Sequence, residues 1–214
     1  RKENQAFYEF LVPLIKGYST EMSLDVASLG VQVHGGMGFI EETGAAQYLR
    51  DAKILTIYEG TTAIQANDLV GRKTARDGGQ VARAIAGRIE ATEAALAQRS
   101  SAASKSMLKH LRAARAAFVE VVDFVAGSTK ASPNAVFAGS VPYLMLAGNV
   151  VAGWQMARAL IVAEDQRAED AAFMDAKVAT ARFYAEHILS KVPGVRDSII
   201  EGHAAVNDMA LEAF

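Results

Sequence analysis

Apolar side chains recur at spacings of three and four along most of this chain. One series runs Val81, Ile85, Ile89 and Leu96; another runs Leu111, Ala114, Phe118, Val122 and Val125. Such spacing returns each side chain to one face of a 3.6-residue turn, so both stretches predict amphipathic helices packed in a bundle. No stretch alternates apolar and polar residues long enough to predict a strand. The one β-looking piece, "AKILTIYEG" at residues 52–60, is short. The pattern therefore predicts an all-α fold, a helical bundle.

Turn chemistry divides that bundle. An opening segment containing Pro13 precedes a helix from about Thr20 to His34. A glycine-rich loop follows at Gly35–Gly44, then a short helix over Ala45–Asp51. Another helix spans about Thr61 to Thr74 and stops near "RDGG", residues 76–79. Four or five helices are predicted over Gln80–Phe214, with breaks near Gln98–Ser104, Gly127–Pro133, Gln166–Asp170 and Val192–Gly194. Glycine and polar loops crowd the first third, whereas the rest is alanine-rich. This shift places a domain boundary at the "RDGG" break, with residues 1–75 as one unit and 76–214 as an additional helical domain.

Composition narrows the function. Of the 214 residues, 51% are hydrophobic and 21% charged, enough apolar material for a buried core. The formal charge of −2 and the lack of a long basic run argue against nucleic acid as a partner. Cysteine is absent, which removes disulfides, thiolate catalysis and Cys-ligated metals and is compatible with a reducing cytoplasm. The most lipid-like run, "YLMLAGNVVAGWQMARALIVA" at residues 143–163, includes Asn149, Gln155 and Arg158. A charge deep in a bilayer is costly, so the run predicts a buried bundle helix and no membrane span. The chain starts Arg1-Lys2-Glu3-Asn4, with no methionine and no signal-type segment, and reads as a piece of a longer polypeptide.

Three places carry candidate chemistry. "QVHGGMGF", residues 32–39, has glycines that permit positive φ and close approach of a ligand; a helix C-cap with a turn explains them equally. His34 has no second histidine at metal-ligand spacing, and His110, His187 and His203 are scattered. "YEGTT", residues 58–62, sets Glu59 and Gly60 before a helix start that Thr61 or Thr62 can cap. The free N–H groups of such a start suit an anion such as phosphate, and Glu59 is either a turn residue or a base. Glu169, Asp170 and Asp175 could mimic a metal site, but helix-start acids and solvated charge account for them.

Taken together, "QVHGGMGFIEETGAAQYLRDAKILTIYEGTTAIQ", residues 32–65, resembles the C-terminal helical domain of acyl-CoA dehydrogenases. The elements Gln-x-x-Gly-Gly-x-Gly-Phe, Arg-Asp-Ala-Lys-Ile and Ile-Tyr-Glu-Gly-Thr stand in family order, and the strong match runs from about Tyr18 to Arg72. The resemblance implies FAD stacked on an acyl-CoA thioester between helical and β domains. It implies Glu59 as the base that removes the α-proton while the flavin takes hydride from the β-carbon, giving a trans-2-enoyl-CoA. The Glu59 N–H would bond the thioester carbonyl, stabilising enolate-like charge. Gly60 would lie against the substrate. Thr61, Thr62 and Ala63 would meet the FAD phosphates, and Gln32, Val33, His34, Gly35 and Gly36 the ADP half of FAD on a neighbouring subunit. A homo-oligomer and an electron-transferring flavoprotein as acceptor follow from the same resemblance.

Two positions depart from the family pattern. Ala63 replaces a frequent polar residue, leaving only its backbone for contact. His34 stands where apolar or aromatic residues are common. The domains that hold most of the flavin would lie upstream of Arg1, together with the first helices of the C-terminal bundle. The fragment alone is thus expected to bind FAD weakly and not to turn over. Residues after about 76 resemble the extra helical domain of longer bacterial members, a group that includes enzymes acting on 3-methylmercaptopropionyl-CoA. That part matches no catalytic motif and reads as a packing or oligomerisation bundle. The alternatives are an acyl-CoA oxidase on the same fold and a non-catalytic helical scaffold.

Overall fold

The computed structural model describes residues 2–213, and among them there is no strand. Helix α1 (Lys2–Pro13) passes through a π-helical turn, Leu14–Tyr18, into α2 (Ser19–His34). The opening segment expected before Thr20 is therefore helical. Pro13 donates no N–H and crowds the preceding turn, and the wider π turn begins directly after it. Short helical turns, α3 (Gly36–Phe39) and a 3₁₀ turn at Glu41–Thr43, occupy the expected glycine loop. Helix α4 (Ala45–Leu55) returns alongside α2. The β-looking "AKIL" closes α4 as helix, because its apolar side chains fall on a helical face with no strand beside them to pair with.

Helix α5 (Thr62–Asp68) runs without interruption into a second π-helical stretch, Leu69–Ala75. The later helices are α6 (Gln80–Ala97), α7 (Ala102–Ser128), α8 (Pro133–Ala138), α9 (Ser140–Asp165), α10 (Ala171–His187), α11 (Val192–Ile200) and α12 (His203–Asn207). These seven described helices exceed the four or five expected, since α8, α11 and α12 are too short for a clear period. The break expected at Val192–Gly194 is the start of α11, with Pro193 in its first turn, where the missing N–H costs nothing.

Helices α7 and α9 form the centre. Phe118 on α7 stacks on Tyr143 of α9 at 6.4 Å and meets Phe10 of α1 edge-on at 6.5 Å. The Tyr143 hydroxyl, wholly buried, bonds Thr74 at 2.9 Å, and burial pushes its pKa up. One apolar cluster joins Phe10, Leu14, Ala66, Leu69 and Val70 to the later helices. Gly148 is required on α9, because a Cβ there would lie 2.3 Å from the ring of Tyr18. That close approach lets the Tyr18 hydroxyl donate to Asn149 at 2.9 Å and meet Tyr184 at 3.1 Å. Among the described residues α9 is the one helix long and apolar enough to cross a membrane, with 44% of its most apolar window buried.

Charged pairs brace the bundle. Glu93 of α6, 2% exposed, accepts two bonds from Arg115 of α7 at 2.7 and 3.0 Å. Its hydrogen bonds raise the Arg115 pKa against the opposing effect of burial. Glu164 at the end of α9 accepts from Ser101, Ser104 and Arg99, tying α9 to the start of α7. The acidic stretch that could mimic a metal site has structural work: Asp170 caps α10 through the Phe173 N–H, and Asp175 pairs with Arg167 at 2.7 Å.

Candidate functional site

The turn between α4 and α5 is built from residues 56–61. Thr56 is buried and closes α4, its hydroxyl donating to the Lys53 carbonyl at 3.1 Å. Its own carbonyl accepts the Thr62 N–H at 3.3 Å, which closes the loop. Glu59 sits at the tip with φ 50, and it is the one non-glycine residue at positive φ among those described. A branched-chain-free but bulky side chain in that region is uncommon and costs roughly 1–3 kcal/mol, a deviation that clusters at ligand sites. Gly60 follows at φ 92, a conformation that strains any side chain, and a Cβ there would also lie 2.7 Å from the movable Gln65 amide.

Among the described residues nothing neutralises Glu59. Its carboxylate makes no hydrogen bond or ion pair among the described residues, and its N–H has no backbone acceptor. Ile57, Tyr58 and Ile64 expose apolar surface on either side of it. An exposed, unpaired carboxylate within an apolar rim is able to take a proton from a ligand that covers the rim and excludes water. Among the described residues, both polar groups of Glu59, side chain and N–H, are thus without a partner.

The helix start beside it offers donors unevenly. Thr61 caps α5, its hydroxyl accepting the Ile64 N–H over a long 3.4 Å. The Thr62 N–H is used by Thr56, and the Thr62 hydroxyl donates to Glu21 on α2 in a short bond. Ala63 therefore carries the first-turn N–H left without a partner. With no polar side chain at this position, the backbone N–H is the donor Ala63 offers.

Residues 32–36 lie elsewhere, at the far end of α2, and all are exposed. Gly35 ends the helix at φ 60 and ψ −141, a conformation open to glycine, and its N–H returns to the Gln32 carbonyl at 3.1 Å. Neither Gly35 nor Gly36 has an atom within 4 Å of where a Cβ would stand, so bare backbone faces outward. The His34 ring bonds the Gly30 carbonyl at 2.9 Å and borders a groove of about 690 Å³ between α2 and α4, with Val26, Tyr48 and Asp51. Leu55, but not Glu59, shares this groove with His34.

Sequence reasoning missed the residues that hold the turn. Lys16 donates to the Leu55 carbonyl at 2.5 Å and lies 5.3 Å over the Tyr58 ring. Glu21 accepts the Thr62 hydroxyl on the turn's other flank. Their one signal was a pair of charges five residues apart, which is also how a solvated face reads.

Comparison with known proteins gives two family matches along the chain. The family described as "Acetyl-CoA dehydrogenase C-terminal like" matches residues 85–210. The family described as "Acyl-CoA dehydrogenase, C-terminal domain" matches residues 1–73. A 3-methylmercaptopropionyl-CoA dehydrogenase of Ruegeria pomeroyi is 51% identical over 94% of this chain and 35% of its own length. A broad-specificity linear acyl-CoA dehydrogenase of Mycobacterium tuberculosis is 32% identical over 89% of this chain and 33% of its own length. A caffeyl-CoA reductase-Etf complex subunit of Acetobacterium woodii is 38% identical over 24% of this chain and 14% of its own. The chain spans about a third of the length of the first two relatives.

Proposed function

The chain belongs to the acyl-CoA dehydrogenase family, and from that premise we propose that it forms the catalytic-base side of an FAD-dependent acyl-CoA dehydrogenase. The observation that carries this reading is Glu59, unpaired, at positive φ and rimmed by apolar side chains. Its carboxylate takes the α-proton of an acyl-CoA thioester, and its N–H donates to the thioester carbonyl, which makes that proton more acidic. Gly60 leaves room for the thioester to approach the backbone. Ile57, Tyr58 and Ile64 supply the dry surface that keeps solvent from competing for the base.

The residues present fit the phosphate end of FAD. The unpaired Ala63 N–H and the Thr61 cap open toward an anion at the start of α5, and Gly35 and Gly36 present bare backbone. Bound FAD supplies the acceptor for the hydride leaving the β-carbon. Gln32 to Gly36 then serve the ADP half of a neighbouring subunit's FAD, which makes the protein a homo-oligomer. The R. pomeroyi likeness favours a short thioether-bearing acyl group as substrate. The A. woodii name favours an electron-transferring flavoprotein as acceptor, and the cytoplasm is the proposed site of action. Residues 76–214 are proposed as an additional packing domain, its core continuous with Phe10, Leu14 and Leu69.

Glu59→Gln in the complete enzyme tests the reading. The change removes the base without altering shape, so flavin reduction by acyl-CoA falls about 10²–10⁴-fold while flavin content holds. Turnover at the original rate would remove Glu59 from the mechanism.

A further inference from the structure

We propose that Lys16 and Glu21 are positioning residues that hold the Glu59 turn from both flanks; this rests on Glu59 as the base. Neither touches the Glu59 carboxylate. Lys16 donates to the Leu55 carbonyl at 2.5 Å, immediately before the turn, and stacks its charge 5.3 Å over the Tyr58 ring. Glu21 accepts the Thr62 hydroxyl, immediately after the turn. Leu55 ends α4, where carbonyls lack helical donors and a cation is favoured; Thr62 begins α5, where an anion is favoured. Each charge thus meets the helix end of the sign that suits it.

Both side chains are half-buried and leave the same helical rod. Lys16 lies inside the π turn Leu14–Tyr18 and Glu21 in the first turn of α2. In a regular helix, residues five apart point about 140° from each other. The wider π turn cuts that angle, so one rod reaches both ends of the turn. The Thr20 hydroxyl donates back to the Lys16 carbonyl at 2.7 Å and helps hold the π turn in shape. Within the turn itself the loop-closing bond is the 3.3 Å contact from the Thr62 N–H to the Thr56 carbonyl. An unfavourable φ at Glu59 persists only where the surroundings over-determine it. The two charged ties are what over-determine it here.

The test compares Lys16→Met, Lys16→Arg and Glu21→Ala with Glu59→Gln in the complete holoenzyme. Lys16→Met keeps the stem and loses the donor. It lowers kcat about tenfold or more with KM for the acyl-CoA held within about twofold, because the base shifts while the binding surface stays. Lys16→Arg, which still donates to the Leu55 carbonyl, restores most of the loss, and Glu21→Ala gives a smaller fall. Exchange of the Ile57 and Tyr58 amides, which bond the Ile54 carbonyl at 3.0 and 3.1 Å, quickens in Lys16→Met without activity being needed as the readout. The proposal is overturned if Lys16→Met leaves kcat and this exchange unchanged. It is equally overturned if kcat and flavin content fall and KM rises together, with no rescue by Lys16→Arg. Should Glu59→Gln keep full turnover, the base assignment fails separately, and the exchange rates still decide whether Lys16 orders the turn.

Discussion

Helices α2 and α9 are both rich in apolar side chains and have opposite fates. Helix α9 buries twelve of its residues. Helix α2 buries none, and Met22, Val26, Leu29 and Val33, spaced four, three and four apart, stay open, Val33 at 85% exposure. Such spacing specifies an apolar face but says nothing of whether a partner covers it. Exposed apolar stripes of this length mark surfaces that meet another body. The helices that hold one another, α6 to α11, carry no candidate chemistry. The α2–α4 arm and the turn after it carry all of it, on surface the chain leaves open.

The sharpest way to break this contrast is a truncation in each region. Phe118→Ala, in the aromatic stack of the centre, is expected to cost about 3–5 kcal/mol and to lower the melting temperature strongly. Leu29→Ala on the open stripe changes the stability of the chain by less than about 0.5 kcal/mol. A large loss from Leu29→Ala would mean that α2 is covered after all. Next in size is Glu93→Ala, which leaves Arg115 with Glu90 at 3.4 Å as its remaining acid. Denaturant unfolding should report about 2–3 kcal/mol, under the full cost of orphaning a buried charge.

The smallest effect concerns pH. His110 of α7 has its pKa lowered, first by burial and then by Lys109, with Glu186 opposing. The unfolded chain therefore binds the proton more readily than the fold does. Stability from this group is present above the ordinary histidine range and is lost as pH falls toward the lowered folded value. His110→Gln should narrow the drop in melting temperature between neutral and mildly acidic solution; an unchanged drop would assign it to other groups.

The bundle was legible because α6 and α7 bury long helical stripes and α9 is apolar over most of its length. The 3.6-residue period survives whatever packs beside it. Legibility failed where a helix is short or its pattern is ambiguous. "AKIL" reads as strand by composition, and α11 hides behind a proline that a helix start tolerates. At the candidate site the motif gave Glu59, Gly60 and the Thr61 cap. It did not give the φ of Glu59, the free N–H of Ala63, or the reach of Lys16 over 39 residues to Leu55.

The sequence by itself determined the helical class, the glycines at the turns and the family to which the chain belongs, because periodicity, φ preference and motif order are local properties of the chain. Only the tertiary structure decided which apolar stripes are covered, which carboxylates are paired and which remain free. Those depend on what stands opposite each side chain in space. Glu93 and Glu59 are both glutamates among apolar neighbours; one is locked by Arg115 and the other is left without a counter-ion.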